Sequence, residues 1–212
     1  MIEEKTYEDY LQNLLEGNKE RCEEIVESSL DQGVEIEELY TDLIQRSMYE
    51  VGNLWEIGEI SVAKEHLATS ITERILTSVY PEILSKKREG RSIIIACVVN
   101  EYHQIGGRMI ADLFELFGWD SYFVGADTPI DDLLSMIEEK QPDVVGFSVA
   151  MERNLPELNE YIKKICDLYP DLEIIVGGQA FDDSRNGILN GRCKAEYISS
   201  IEELKERYDM SD

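Results

Sequence analysis

The hydrophobic pattern changes its period once along the chain. Over residues 1–89 apolar positions recur three and four apart: Tyr10, Leu11, Leu14 and Leu15, then Ile25 and Leu30, then Leu39, Leu43, Ile44, Met48 and Val51. A further stripe over 62–84 runs through Leu67, Ile71, Ile75, Leu76 and Val79. Such spacing gathers apolar side chains on one side of a helix. Gly17-Asn18, Asp31-Gln32-Gly33 and the segment 53–60, with Gly52 and Gly58, read as the breaks. The pattern predicts four helices joined by short turns, a four-helix bundle.

The stretch 85–90 is polar, ends in Gly90 and reads as a linker. Beyond it the pattern changes. A β-branched run over 92–99 predicts a strand buried on both faces, followed by an amphipathic helix over 109–117. Short strands at 122–124, 143–148, 172–176 and 197–198 alternate with helices at 130–139, 155–169 and 201–208, the first of these opening behind Pro129. Regular alternation of strand and helix predicts a parallel, doubly wound sheet of five strands. The chain is therefore expected to contain a helical domain over 1–89 and an α/β domain over 90–212, an all-α part followed by an α/β part.

Composition narrows the picture. No apolar run reaches the roughly 20 residues that span a bilayer, and the start, MIEEKTYEDY, lacks the form of a secretory signal. A cytoplasmic protein without membrane attachment is expected. The net charge of −25 repels phosphates and argues against direct nucleic acid binding. None of the four cysteines lies in a C-x-x-C pair, no zinc spacing is present, and no structural disulfide is expected.

In doubly wound sheets ligands bind beyond the carboxyl ends of the strands. There the sequence places Asn100-Glu101-Tyr102-His103-Gln104-Ile105-Gly106, Ser148-Val149-Ala150 and Gly177-Gly178-Gln179. A carboxylate beside an imidazole can fix its tautomer and raise its basicity, as carboxylates do for metal-bound histidines. A glycine pair lets a large ligand approach the backbone. Taken singly, each of these is more often a capping residue or a tight turn than a site.

Together, Glu101-x-His103-x-x-Gly106, Ser148-x-Ala150 and Gly177-Gly178 resemble the cobalamin-binding signature of Asp-x-His-x-x-Gly, Ser-x-Leu or Ser-x-Thr, and Gly-Gly. Glu101 stands where many members have Asp, and Ala150 where Leu or Thr is usual. The resemblance implies a flavodoxin-like or Rossmann-like domain in which His103 is the lower axial ligand of cobalt. The cofactor's displaced nucleotide tail would enter a slot beside the Ser and Gly positions. The helical half is similar to the cap of adenosylcobalamin-dependent photoreceptors of the CarH type. It carries Trp55, then nine residues, then Glu65-His66, with Val62 at a further wall position.

The resemblance implies adenosylcobalamin with its upper group walled by Trp55, Val62, Glu65 and His66. It implies a sensor or photoreceptor module in signal transduction, with no catalytic turnover, whose output passes through a protein partner or homo-oligomer. Glu56 follows Trp55 where those repressors have a His, and Tyr102 stands where some relatives have an Arg. Without the signature, Trp55 and His66 would read as residues facing the bundle core. The alternative function is a corrinoid methyl carrier, loaded as methylcobalamin, that serves partner methyltransferases. A mutase subunit would need a barrel of about 250 residues, which the sequence does not offer.

Overall fold

The computed structural model describes residues 2–84, 90–181 and 195–210. The expected linker at 85–90 therefore lies outside the described residues except for Gly90. The chain divides into two compact units, Met1–Glu82 and Ile83–Asp212.

The first unit is helical. Helix α1, Glu4–Glu16, buries Tyr7, Tyr10 and Leu14 and ends at Gly17, whose φ of 77° only glycine adopts without strain. A Cβ at Gly17 would lie 2.6 Å from Leu67 Cδ2, so the turn is also closely covered. Asn18 caps α2, Lys19–Asp31, through the Arg21 N–H. The third helix is continuous but not uniform. Helix α3, Ile36–Glu38, passes through a π-helical segment, Leu39–Gln45, into α4, Arg46–Glu56. The widened turn brings Leu39, Tyr40, Leu43 and Ile44 into the core together.

Helix α5, Val62–Ile83, completes the four. The break before α5 is shorter than the segment 53–60 suggests. Glu59 and Ile60 both donate to Leu54 O, and Gly58 turns at φ 78°, so Trp55 and Glu56 still belong to α4. Surface ion pairs join the helices. Arg46 grips Glu4 at 2.7 Å and lies over the Tyr7 ring at 3.6 Å, and Arg21 meets Asp9 at 2.6 Å.

The second unit is a five-stranded parallel sheet of order β2-β1-β3-β4-β5. The strands are β1, Ser92–Ala96; β2, Asp120–Gly125; β3, Val144–Ser148; β4, Glu173–Gly177; and β5, Ala195–Tyr197. Strand side chains alternate between faces. Ile94, Ala96, Val145, Phe147, Ile174 and Val176 pack with helices α7, Ile130–Lys140, and α8, Leu155–Leu168. Ile93, Ile95, Val144 and Ile175 pack with α6, Ile105–Leu116, and α9, Ile201–Tyr208. Helices thus cover both faces and the sheet is doubly wound, as the alternation predicts. This is the flavodoxin-like order.

Two local features steer the carboxyl edge. The β1–β2 register slips after Ile95, a bulge that carries the end of β2 towards β1. Gly146, in the middle of β3, leaves room for Ile95, whose Cδ1 would be 2.4 Å from a Cβ there. At the opposite edge Trp119 packs against Phe114 and Tyr208, with Arg91 over its ring at 4.4 Å.

Cys22 and Cys97 are free and buried. No helix among the described residues is long and apolar enough to cross a membrane.

Gly146→Val places three carbons where Ile95 already sits. It is expected to destabilise the protein by about 1–3 kcal/mol, read as a lowered midpoint in urea unfolding. The double variant with Ile95→Ala is expected to recover part of that loss.

Candidate functional site

The loop after β1 is shaped by one left-handed residue. Asn100 sits at φ 66°, and Glu101 N then donates to Val98 O at 3.0 Å. The turn sends the Glu101 side chain inward, where it is fully buried. A bare carboxylate there would be very costly. Every approach to it is a donor. Oε1 accepts from His103 N at 3.1 Å and lies 2.6 Å from His103 Nδ1. Oε2 accepts from Ala150 N and Met151 N, each at 3.1 Å, and from Asn154 Nδ2 at 2.9 Å. Burial pushes the Glu101 carboxyl up, but these hydrogen bonds, His103 foremost, outweigh it and hold the group at about 2.

His103 is half exposed, with 50% of its side chain accessible. An ionised carboxylate only accepts, so Nδ1 is the donor in this pair and Nε2 is the basic nitrogen. A fixed tautomer, a basic Nε2 and an oriented ring at the carboxyl edge of the central strands are what a histidine needs to ligate a metal. The arrangement would suit a single nitrogen donor to a metal. Among the described residues no group of three or more His, Cys, Asp or Glu is placed to hold a metal ion by itself.

The other signature positions lie on the same edge. Ser148 pairs with Gly177 in the β3–β4 register. Gly106 and Gly107 open α6 directly against Ser148, whose side chain would lie 3.4 and 3.2 Å from a Cβ at each. What the loop supplies at Ala150 is its N–H, which its side chain does not affect. The glycine pair has a reason of its own in the structure. Gly178 has φ 111°, and a Cβ there would fall 2.3 Å from Val149 O. At Gly177 a Cβ would lie 3.3 Å from Ile198 O. The pair lets neighbouring backbone pack closely.

On the helical unit, Trp55 lies one residue from the end of α4 and Val62 begins α5. Trp55 is 43% exposed and Val62 50%, and the His66 side chain is 72% exposed. None of the three is a core residue, which removes the reading of Trp55 and His66 as bundle interior. Glu65 accepts from Thr69 Oγ1 at 2.9 Å and stands 3.5 Å from His66 Nε2. Asn154 and Gly107 are missing from the sequence reading. Asn154 is 4% exposed and donates to both Glu101 and Asn100 O, yet a lone Asn in a loop carries no signal of a partner so distant in sequence.

Removal of one donor should be measurable. Asn154→Ala is expected to cost about 1–3 kcal/mol in urea unfolding. The pH dependence has a definite sign. The folded value of about 2 lies below the ordinary 4.5. Stabilisation by Glu101 is therefore fully present above about 4.5 and is lost as the pH falls towards 2. Glu101→Gln should show a shallower loss of stability across that window than the parent; equal slopes would remove Glu101 from the acid limb.

Comparison with known proteins agrees with this geometry. A family model described as B12 binding domain matches residues 91–199, and a second of the same description matches residues 6–80. The HTH-type transcriptional repressor CarA of Myxococcus xanthus is 29% identical over 152 residues, 71% of this chain and 52% of the repressor. The chain thus spans about half the length of that relative. Trimethylamine corrinoid protein 1 of Methanosarcina acetivorans is 23% identical over 194 residues, 87% of this chain and 89% of that protein. The monomethylamine corrinoid protein of Methanosarcina barkeri shares the fold with a TM-score of 0.83 at 16% identity, over 98% of this chain and 99% of that one. With a buried carboxylate orienting an exposed histidine at the carboxyl edge, and more than half of its length matched by the model of residues 91–199, this chain belongs to the B12-binding domain family and binds cobalamin.

Proposed function

We propose that the chain is a cobalamin-state sensor, a binding module without catalytic turnover that favours adenosylcobalamin. His103 is the lower axial ligand and Glu101 holds its ring. Gly106, Ser148, Ala150, Gly177 and Gly178 form the edge that receives the nucleotide tail. Trp55, Val62, Glu65 and His66 recognise the upper group. The two domains span 1–89 and 90–212.

The observation that carries this reading is the exposure of Trp55, Val62 and His66 at one corner of the helical unit. Trp55 offers a broad aromatic face, while Glu65 and His66 offer polar groups beside it. Such a combination suits a nucleoside and is excessive for a methyl group. Bound adenosylcobalamin supplies a weak cobalt–carbon bond that light can break. Were the upper group lost, Trp55 and Val62 would lose a packing partner, which would bias the helical unit towards another state and change a homo-oligomeric or partner interface.

One observation favours a second reading. The similarity to the trimethylamine corrinoid protein spans 89% of that relative, against 52% for the CarA repressor. A methyl carrier would keep His103 in the same role, carry methylcobalamin and dock with methyltransferases.

The readings separate in a dark experiment with adenosylcobalamin, methylcobalamin and hydroxocobalamin, followed by absorption spectra and solution mass before and after green light. The sensor reading expects adenosylcobalamin to be retained and both spectrum and mass to change on illumination. Preference for methylcobalamin with unchanged mass would establish the carrier reading instead. Trp55→Ala is expected to weaken adenosylcobalamin roughly tenfold or more while sparing methylcobalamin, in line with the loss of one buried aromatic face.

A further inference from the structure

We propose that Asp127 is a positioning residue for His103, acting through a two-loop staple with Asn100; this rests on His103 being the cobalt ligand. The two residues belong to different loops. Asn100 follows β1 and Asp127 follows β2, and both adopt left-handed backbone, at φ 66° and 52°. Left-handed backbone is uncommon outside glycine and persists where surrounding bonds impose it.

Here the bonds are reciprocal. Asn100 N donates to Asp127 Oδ1 at 2.8 Å, and Asp127 N donates to Glu101 O at 3.0 Å. Each kink is held by the other loop. The Asp127 side of the staple is itself anchored. The bulge at the end of β2 brings Gly125 O to Cys97 N at 2.9 Å, and Thr128 N donates to Cys97 O at 3.0 Å. Tyr161 OH then donates to Thr128 O at 2.9 Å. Gln104 closes the far side of the loop, its Oε1 accepting from Ala126 N at 3.2 Å.

The consequence falls on the residues that follow Asn100. The left-handed turn decides that Glu101 points inward and that His103 emerges at the edge. Without the Asp127 carboxylate, the Asn100 N–H loses its acceptor in this turn, and the backbone is released towards ordinary conformations. Glu101 would remain buried by its own donors, but the ring orientation of His103 would spread. The staple is thus separable from the bonds of the Glu101 carboxylate, and Asn100 and Asp127 lie in exposed loops outside the core.

The test uses the full chain labelled with ¹⁵N-histidine and loaded with cob(II)alamin, read by electron paramagnetic resonance. An axial ¹⁵N from the protein splits the cobalt lines into doublets, whereas the cofactor's own ¹⁴N base gives triplets. The parent is expected to show doublets and His103→Ala none. Asp127→Ala should lose most of the doublet signal and weaken cob(II)alamin binding roughly tenfold, about the value of a charge-assisted hydrogen bond. Asp127→Asn, which keeps an acceptor oxygen, should restore it. Asn100→Gly should resemble the parent, and Asn100→Val should resemble Asp127→Ala, because valine resists left-handed backbone.

Thermal melts of the same cofactor-free variants check folding, and the Asn100 pair provides the comparison if Asp127→Ala does not fold. Full doublets in Asp127→Ala and Asn100→Val, with none in His103→Ala, would overturn the staple while leaving His103 as ligand. Triplets in the parent would overturn the His103 reading and the staple together.

Discussion

A buried negative charge organises the sheet unit. Glu101 is withdrawn from water, and five N–H positions converge on its two oxygens and hold it ionised. Those donors come from two loops, so satisfying the charge also fixes the loops relative to each other. The same bonds turn the His103 ring and select its tautomer. Geometry that would otherwise be spread among many loop conformations is concentrated by a single electrostatic requirement. The sheet contributes by placing both loops side by side, since β1 and β3 are neighbours at its centre.

Much of this is legible in the sequence. A change of hydrophobic period at the middle of the chain separates helices from alternating strands, and the buried faces follow it closely. Ile93 and Ile95 go to one layer while Ile94 and Ala96 go to the other, as period two demands. Glu101 and His103 are two apart in a loop after a strand, a spacing that puts a carboxylate within reach of an imidazole. Signals of this local kind survive in sequence.

What stayed hidden depends on partners far away in the chain. Asn154 reads as an ordinary loop residue until β3 brings it to Glu101. The reciprocal bonds of Asn100 and Asp127 join loops on different strands, and neither residue type announces left-handed backbone. The π-helical segment at Leu39–Gln45 has the same apolar stripe as an α-helix, and only its hydrogen-bond reach differs. The glycines at 177 and 178 were visible, but their reason was not. They admit the Val149 and Ile198 backbones, and close packing of the loops is itself part of what keeps the edge in shape.

The two tryptophans stand in contrasting surroundings, one in each unit. Trp119 is 2% exposed among aromatic rings beneath a guanidinium, and Trp55 is 43% exposed on a helix end. Indole emission shifts to the red with contact to water and is quenched by small solutes that can reach the ring. The molecule therefore carries its own pair of optical reporters. Emission from Trp119 follows the integrity of the sheet, and quencher access to Trp55 follows the corner of the helical unit. Each unit can be watched separately without attaching a dye.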